Sequence, residues 1–297
     1  MKKKSNFLVR LITGFCLMLI LIPAVFFGGI YYLVLSTILS IFATYELINM
    51  FYTKHQNLKI MRFVLPVFSG ASVVCFYFGI LYSLPFVSII PIILGIIVVM
   101  LFGVLKNGTD ANDITSCITS LIYGGLLFSC AFSVEYLKPL QEINGNFKFV
   151  GRLFAYMYSI VVCTDIFAYC FGMLFGKHRL CEKISPKKSV EGAVAGLVLG
   201  ALVGTIVGVV LKVVPMSLCE SSMQKVLMIL VLYILSIIIS AMGQLGDLVA
   251  SKLKRTYAIK DYGFIFPGHG GVMDRFDSLI FAGAIFFILM QVIYLFV

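Results

Sequence analysis

Charged residues are scarce in this sequence. Only 12% of its 297 residues are Asp, Glu, Lys or Arg, whereas 61% are hydrophobic. Soluble domains carry about 25% charged and about 45–50% apolar residues. The composition therefore excludes an ordinary soluble globular enzyme and indicates a membrane protein.

Several familiar site motifs are also absent from the sequence. The eight cysteines are scattered, with no C-x-x-C pair and no histidine at metal-ligand spacing, which argues against a disulfide framework or a zinc site. No G-x-x-x-x-G-K-[ST] segment occurs, and no G-x-G-x-x-G follows a strand. Any nucleotide site must therefore be built from the ends of membrane helices rather than from a P-loop or a dinucleotide-binding unit.

Acidic residues are fewer than basic ones, 13 against 23, which gives a formal net charge of +10. A basic excess can indicate nucleic-acid binding, but a chain this apolar has no large soluble face to offer. We therefore expect no nucleic-acid partner. In a membrane protein the same excess is expected in the cytoplasmic loops.

Long apolar runs are what the sequence has in abundance. A helix that crosses the hydrocarbon core needs about 20 mostly apolar residues. The sequence predicts an all-α integral membrane protein with about nine transmembrane helices. Their approximate bounds are 7–28, 30–51, 63–83, 86–105, 117–137, 152–175, 192–214, 225–250 and 276–297.

The basic residues set the predicted orientation. Most of the Lys and Arg fall in the N-terminal segment and in the connections that share its side of the membrane, including 176–191 and 251–275. The positive-inside rule then places the N-terminus in the cytoplasm and the C-terminus outside.

The charges also divide the chain. Nearly half of them lie within 165–191 and 247–277, on one predicted face of the membrane. We expect residues 1–137 to form an N-terminal scaffold of about five spans. Residues 151–297 are expected to form a catalytic domain of about four spans, with cytoplasmic loops 176–191 and 251–275 and a single site that faces the cytoplasm.

Asp165 and Asp247 lie inside predicted spans, where an ionisable group is costly and invites a functional hypothesis. Asp165 is followed on one helix face by Tyr169 and Gly172, which would line a common groove. Asp247 follows glycines that allow a ligand or another backbone to approach closely. For Asp165 the alternative is a hydrogen-bonded acid that joins two helices.

The last predicted loop combines glycines, cations and acids. Three glycines surround His269 in Pro267–Gly271, and the amide groups of such a turn can bind phosphate oxygens. Asp274 and Asp277 begin the last span, where helix capping is the alternative explanation for Asp277. We expect Asp274 to meet Asp247 at the same membrane depth.

Paired carboxylates beside cations and an open glycine turn favour one kind of chemistry. Mg²⁺ is bound by carboxylates together with substrate phosphates and water, and Lys or Arg would neutralise the remaining phosphate charge. The combination is typical of phosphoryl or nucleotidyl transfer.

The motifs in these segments resemble those of the phosphatidate cytidylyltransferase family. Residues 251–277 read SKLKRTYAIKDYGFIFPGHGGVMDRFD and contain, in register, S-x-x-K-R, K-D, P-G-H-G-G and D-R-x-D. Residues 184–192 resemble S-P-K-K-T-x-E-G, with Ser189 in place of Thr, and residues 165–169 resemble D-T-x-A-Y, with Ile166 in place of Thr. The resemblance covers roughly residues 151–280.

The resemblance implies transfer of CMP from CTP to phosphatidic acid, with Mg²⁺ held by Asp247 and Asp274 and K⁺ as a second ion. It also implies a homodimer in a bacterial inner membrane. The implied catalytic residues are Asp247, Asp274, Lys252, Arg255, Lys260 and Arg275. The implied substrate-binding residues are Asp165, Tyr169, Ser185, Lys187, Lys188, Ser251, His269, Gly270, Gly271 and Asp277.

Two other functions fit part of the pattern. A CTP-dependent polyprenol or phytol kinase would share short Lys- and Asp-bearing motifs but would not carry the whole Pro267–Asp277 segment. A transporter could place its substrate at Asp165 near the middle of the membrane, although both charge clusters lie on one side.

Overall fold

The computed structural model describes residues 13–15, 19–137, 151–213 and 221–294. Within these ranges, eight helices are long and apolar enough to cross a membrane. This confirms the predicted all-α, multi-span architecture. Of the first predicted span, 7–28, residues 13–15 and 19–27 are helical, and the rest lies outside the described residues. The orientation of the helices stays a prediction.

The N-terminal spans consist of α1–α5. Their bounds are Gly29–Tyr52 (α1), Met61–Leu81 (α2), Ile90–Leu105 (α3), Ala111–Ser120 (α4) and Phe128–Ser133 (α5). A π-helical segment, Leu121–Leu127, joins α4 to α5, so that one span of 26 residues runs over Ala111–Tyr136. Short 3₁₀ turns lie at Gln56–Lys59, Pro85–Ile89 and Val134–Tyr136.

The C-terminal spans consist of α6–α9. Their bounds are Arg152–Phe175 (α6), Val190–Val210 (α7), Ser222–Thr256 (α8) and Met273–Tyr294 (α9). At 35 residues, α8 is longer than a membrane crossing requires. It continues six residues past the predicted end of the span because its last turns are rich in Lys, Leu and Arg, which favour helix, and because basic residues are stabilised at a helix C-terminus.

A short hairpin occupies the predicted loop 176–191. Strands β1 (Arg179–Cys181) and β2 (Ser185–Ser189) pair antiparallel, with Arg179 opposite Ser189 and Cys181 opposite Ser185. Ser189 then caps α7, since its hydroxyl accepts a hydrogen bond from the Gly192 N–H at 3.2 Å. The hairpin was not predicted, because two such short strands carry no clear alternating pattern.

The chain divides into two compact units by its internal contacts. Unit one comprises residues 1–136 and 253–276, and unit two comprises residues 137–252 and 277–297. In unit one, α1 packs against α2, and the Ser40 hydroxyl donates to the Gly124 carbonyl at 2.9 Å. The sequence-based division at 137–151 stays a prediction.

In unit two, α6 and α7 pack at very short range. Glycines recur every four residues on α7, at positions 192, 196, 200, 204 and 208. A Cβ at Gly196 would lie 2.7 Å from the Thr164 carbonyl oxygen, and one at Gly200 would lie 2.3 Å from the Thr164 hydroxyl. The Thr164 hydroxyl also hydrogen-bonds Ser240 of α8 at 2.7 Å. Contacts between these small and hydroxylated residues fix how α6 and α8 are oriented. These two helices carry the candidate acids Asp165 and Asp247.

Candidate functional site

Unit two contains a cavity of about 590 Å³, which we call the aspartate cavity. Four elements supply its polar lining: α6, β1, β2 and α8. Its charged and phenolic residues are Asp165, Tyr169, Arg179, Lys187, Lys188 and Asp247. The structure therefore brings together five residues that the sequence singled out in three separate segments. Arg179 is a further cation of this cavity that lies outside the predicted motifs.

Asp247 is engaged by neighbours within the aspartate cavity. Its Oδ2 forms an ion pair with the Lys188 ammonium, and its Oδ1 accepts a hydrogen bond from the Ser251 hydroxyl at 3.2 Å. Because a carboxylate has about four acceptor sites, both oxygens keep capacity for another ligand. Lys188 thus lies against an acid and is more than a topological signal.

Gln244 also lines the aspartate cavity, one turn before Asp247 on α8. Its side-chain amide donates to the Ala193 carbonyl at 3.1 Å, which ties α8 to the start of α7. Its spacing of three residues from Asp247 places both side chains on one helix face. That spacing was a usable signal, although Gln244 was not among the predicted site residues.

Unit one contains a second cavity, of about 490 Å³, which we call the loop cavity. It is lined by Lys260, Asp261, Phe264, Phe266, Pro267, Gly268, His269, Gly270 and Arg275. Gly268 and Gly270 have φ angles of 77° and 88°, which L side chains rarely adopt. Backbone hydrogen bonds between Phe266 and Gly270, at 2.9 and 3.1 Å, close the turn. The predicted glycine turn therefore exists and faces a cavity with two cations.

His269 is held by its own turn and by a residue near the N-terminus. Its Nδ1 lies 3.3 Å from the Thr13 hydroxyl, and that hydroxyl donates to the Pro267 carbonyl at 2.9 Å. The imidazole still lines the loop cavity. These contacts fix the imidazole within the turn, and a substrate-binding role for His269 stays a prediction.

Asp274 lies in the first turn of α9 and is 9% exposed. The Lys254 ammonium donates to its Oδ1 at 2.9 Å, and the backbone N–H groups of Tyr262 and Gly271 donate to its Oδ2 at 2.7 and 3.0 Å. The carboxylate therefore organises the loop between α8 and α9. For Asp277, helix capping was the alternative explanation. Its carboxylate accepts a hydrogen bond from the backbone N–H of the next residue, Ser278, at 2.8 Å.

Comparison with known proteins identifies the family. A sequence profile described as the "Cytidylyltransferase family" matches residues 8–293. The chain belongs to the cytidylyltransferase family. A relative named phosphatidate cytidylyltransferase from Staphylococcus saprophyticus is 31% identical over 288 residues, which cover 92% of this chain and 95% of that protein. Its namesake from Staphylococcus epidermidis is 30% identical over 280 residues, with the same coverage.

Membership of the cytidylyltransferase family confirms the resemblance that the motifs predicted. It does not by itself assign the site residues, whose roles stay predictions. Ser185 begins β2, Ser251 and Lys252 lie on α8 beyond the predicted span, Arg255 lies in the last turn of α8, and Asp277 lies within α9. The joint metal site on Asp247 and Asp274 also stays a prediction, since the two acids belong to different units.

Another group of metal-ligating side chains lies in unit one. The ligand atoms of His55, Asp110 and Asp113 are all within 4.8 Å of one another. Asp110 and Asp113 form a reciprocal capping box at the start of α4, and His55 Nδ1 lies 3.0 Å from Asp113. The Asp113 N–H that donates to Asp110 lowers the pKa of that carboxyl. Helix capping and one histidine–carboxylate pair account for this group.

Proposed function

We propose that this chain transfers CMP from CTP to phosphatidic acid and forms CDP-diacylglycerol and pyrophosphate. The match to the cytidylyltransferase family over residues 8–293 carries the proposal, because it spans nearly the whole chain. Relatives that cover 92% of the chain are named for this activity. The aspartate cavity supports it, since acids and cations converge there from four elements.

In the proposed reaction, an oxygen of the lipid phosphate forms a bond to the α-phosphorus of CTP. The bond between that phosphorus and the bridging oxygen of the β-phosphate breaks, and pyrophosphate leaves. The nucleophile is already ionised near neutral pH, so no strong general base is required. Catalysis then depends on positioning and on neutralising phosphate charge.

Five cations line the two cavities. Lys187, Lys188 and Arg179 line the aspartate cavity, whereas Lys260 and Arg275 line the loop cavity beside the Gly268–Gly270 turn. We propose that these groups bind the triphosphate of CTP and the phosphate of the lipid. Lys252 and Arg255, on the last turns of α8, would add positive charge.

The carboxylates fit a divalent metal by their chemistry. Asp247 presents oxygen ligands in the aspartate cavity, where Asp165 offers a further carboxylate, and Mg²⁺ prefers such ligands. Asp274 has three donors on about four acceptor sites and so keeps room for one more contact. We propose that Asp247 and Asp274 hold Mg²⁺, with K⁺ as a second ion. Bound Mg²⁺ would neutralise charge that develops on the phosphates.

Position-specific labelling of CTP tests the function. Purified protein in detergent with phosphatidic acid is given CTP labelled at either the α- or the γ-phosphorus. We expect α-label in the lipid and γ-label in pyrophosphate. Incorporation of γ-label into an added polyprenol or phytol, with release of CDP, would instead establish the kinase alternative.

A flux measurement tests the transporter alternative. Proteoliposomes that contain the protein are assayed in parallel for CTP turnover and for passage of labelled CTP across the bilayer. We expect turnover without flux. Flux in the absence of any lipid product would overturn the enzyme assignment.

A further inference from the structure

Glu46 is a buried acid in the N-terminal half of the chain, which the sequence assigned only to the scaffold. It lies near the end of α1 and is 3% exposed. Its Oε1 accepts a hydrogen bond from the Val272 N–H at 3.0 Å, and its Oε2 accepts one from the Met273 N–H at 2.9 Å. All three residues belong to unit one. A side chain of α1 thus binds backbone more than 200 residues later in the chain.

The two donors lie where α9 begins. The first N–H groups of a helix have no partner within the helix and carry partial positive charge. A carboxylate is well suited to both, and two hydrogen bonds to it reduce the cost of burying its charge. Glu46 therefore fixes the N-terminal end of α9 from outside that helix.

The loop before α9 is shaped around the same carboxylate. A Cβ built at Gly263 would lie 2.2 Å from Glu46 Oε1, and one built at Gly271 would lie 2.3 Å from the same atom. Real side chains do not approach so closely, so these glycines leave the space that Glu46 fills. The loop consequently packs against Glu46 at two points, Gly263 and Gly271.

This anchor is adjacent to candidate reaction residues. Met273 immediately precedes Asp274, and Gly271, which packs on Glu46, donates its N–H to Asp274. The same short segment contains the Gly268–Gly270 turn of the loop cavity. Any shift of Val272 or Met273 would displace Asp274 and this turn together.

We infer that Glu46 is a positioning residue for the proposed cytidylyl transfer, acting through the backbone of Gly271–Asp274 and not through contact with substrate. The inference rests on the proposed function, since it needs the loop to take part in the reaction. It gives the N-terminal spans an indirect part in the proposed reaction, because the residue that holds the loop comes from α1.

The central test is Glu46→Gln, studied in the full-length protein in detergent. The amide group retains one acceptor but turns a donor toward the second backbone N–H. We expect turnover per folded molecule to fall on the order of 10- to 100-fold, as for a misplacement of about 1 Å. Amide hydrogen exchange should rise in peptides that contain Val272 and Met273 and stay unchanged in peptides from α6. Glu46→Asp, which keeps both acceptor oxygens, should retain more activity than Glu46→Gln.

Glu135→Gln is the matched control. Glu135 is likewise a buried glutamate of unit one, but its oxygens accept no hydrogen bond from the described residues. We expect this variant to keep wild-type exchange at residues 272 and 273 and wild-type turnover. A loss of turnover as large as that of Glu46→Gln would contradict a specific role for Glu46.

Gly263→Ala approaches the same carboxylate from the loop side and carries the test if Glu46→Gln does not fold. Its methyl group should displace Glu46 and reproduce both the loss of turnover and the faster exchange. The inference is overturned if the folded variant shows faster exchange at 272 and 273 with wild-type turnover and KM, because Glu46 would then be a structural anchor only. If the wild-type protein forms no lipid product, the proposed function is refuted instead. The exchange data would still show whether Glu46 holds the backbone of residues 272 and 273.

Discussion

At the scale of single residues, Asp247 offers the sharpest test of the aspartate cavity. Asp247→Asn removes the negative charge that pairs with Lys188 but keeps the shape of the side chain. We expect turnover to be abolished while the protein remains folded, because the Asp247 side chain is 28% exposed and its ion pair with Lys188 is partly solvated. Product formation from labelled CTP, measured beside a melting curve, gives the result.

Glu182→Gln provides the control for Asp247→Asn. Glu182 is an exposed acid between β1 and β2 and lies outside the lining of the aspartate cavity. Its loss removes the same formal charge, so it should leave turnover near the wild-type rate. Wild-type rates in Asp247→Asn would refute the metal proposal.

Asp274→Asn should behave differently, because Asp274 is embedded in a network of three donors. Removing one partner of a buried ion pair costs on the order of 3–5 kcal/mol. We therefore expect both loss of turnover and a lower melting temperature. Lys254→Met, which keeps the carboxylate and its two backbone donors, should lower the melting temperature yet retain measurable turnover. Equal turnover in the two variants would show that Asp274 acts through the loop structure alone.

The sequence was informative about charged residues that lie in short motifs. Asp165, Lys188 and Asp247 could be predicted to share a site because ionisable groups inside or beside apolar spans are costly and need partners. Glu46 also lies inside a predicted span, 30–51, but its partners could not be predicted in this way. Its partners are backbone N–H groups of distant residues, and a backbone donor leaves no side-chain signal in a single sequence.

At the scale of elements, hydropathy was sufficient for the spans and insufficient for their ends. Runs of about 20 apolar residues strongly indicate membrane helices. In lipid, only a helix or a closed barrel satisfies all the backbone hydrogen-bonding groups. The extension of α8 to Thr256 and the β1–β2 hairpin lie outside the predicted spans. In these segments the structure depends on local packing, which cannot be predicted from composition alone.

The α6–α7 contact leads to a prediction at this scale. Gly200→Ala would place a methyl group 2.3 Å from the Thr164 hydroxyl and 2.9 Å from its Cα. Overpacking of this kind costs about 1–3 kcal/mol, so we expect a lower melting temperature and reduced turnover, because α6 carries Asp165. Leu202→Ala is the control, since Leu202 lies on the same helix and is 49% exposed. A wild-type melt for Gly200→Ala would contradict the close contact.

At the scale of the whole molecule, the small number of charged residues and their positions have one explanation. A multi-pass membrane protein can place charged groups only where water or a partner reaches them. The two cavities gather acids and cations in the segments where the sequence concentrates its charge. The positive-inside rule predicts that both segments lie on the cytoplasmic side of the membrane. A soluble nucleotide substrate such as CTP is available on that side.

That orientation can be tested with single cysteines introduced into a cysteine-free variant. His178→Cys lies just before β1 and Ser222→Cys begins α8, and both positions are exposed. If the N-terminus is cytoplasmic, a membrane-impermeant maleimide should label position 222 in intact cells and label position 178 only after the membrane is opened. Retained turnover in each variant shows that the labelled protein is native. The reverse pattern would place the hairpin, and with it the lysines of the aspartate cavity, on the side of the membrane away from CTP, and the proposed cytoplasmic site would then be wrong.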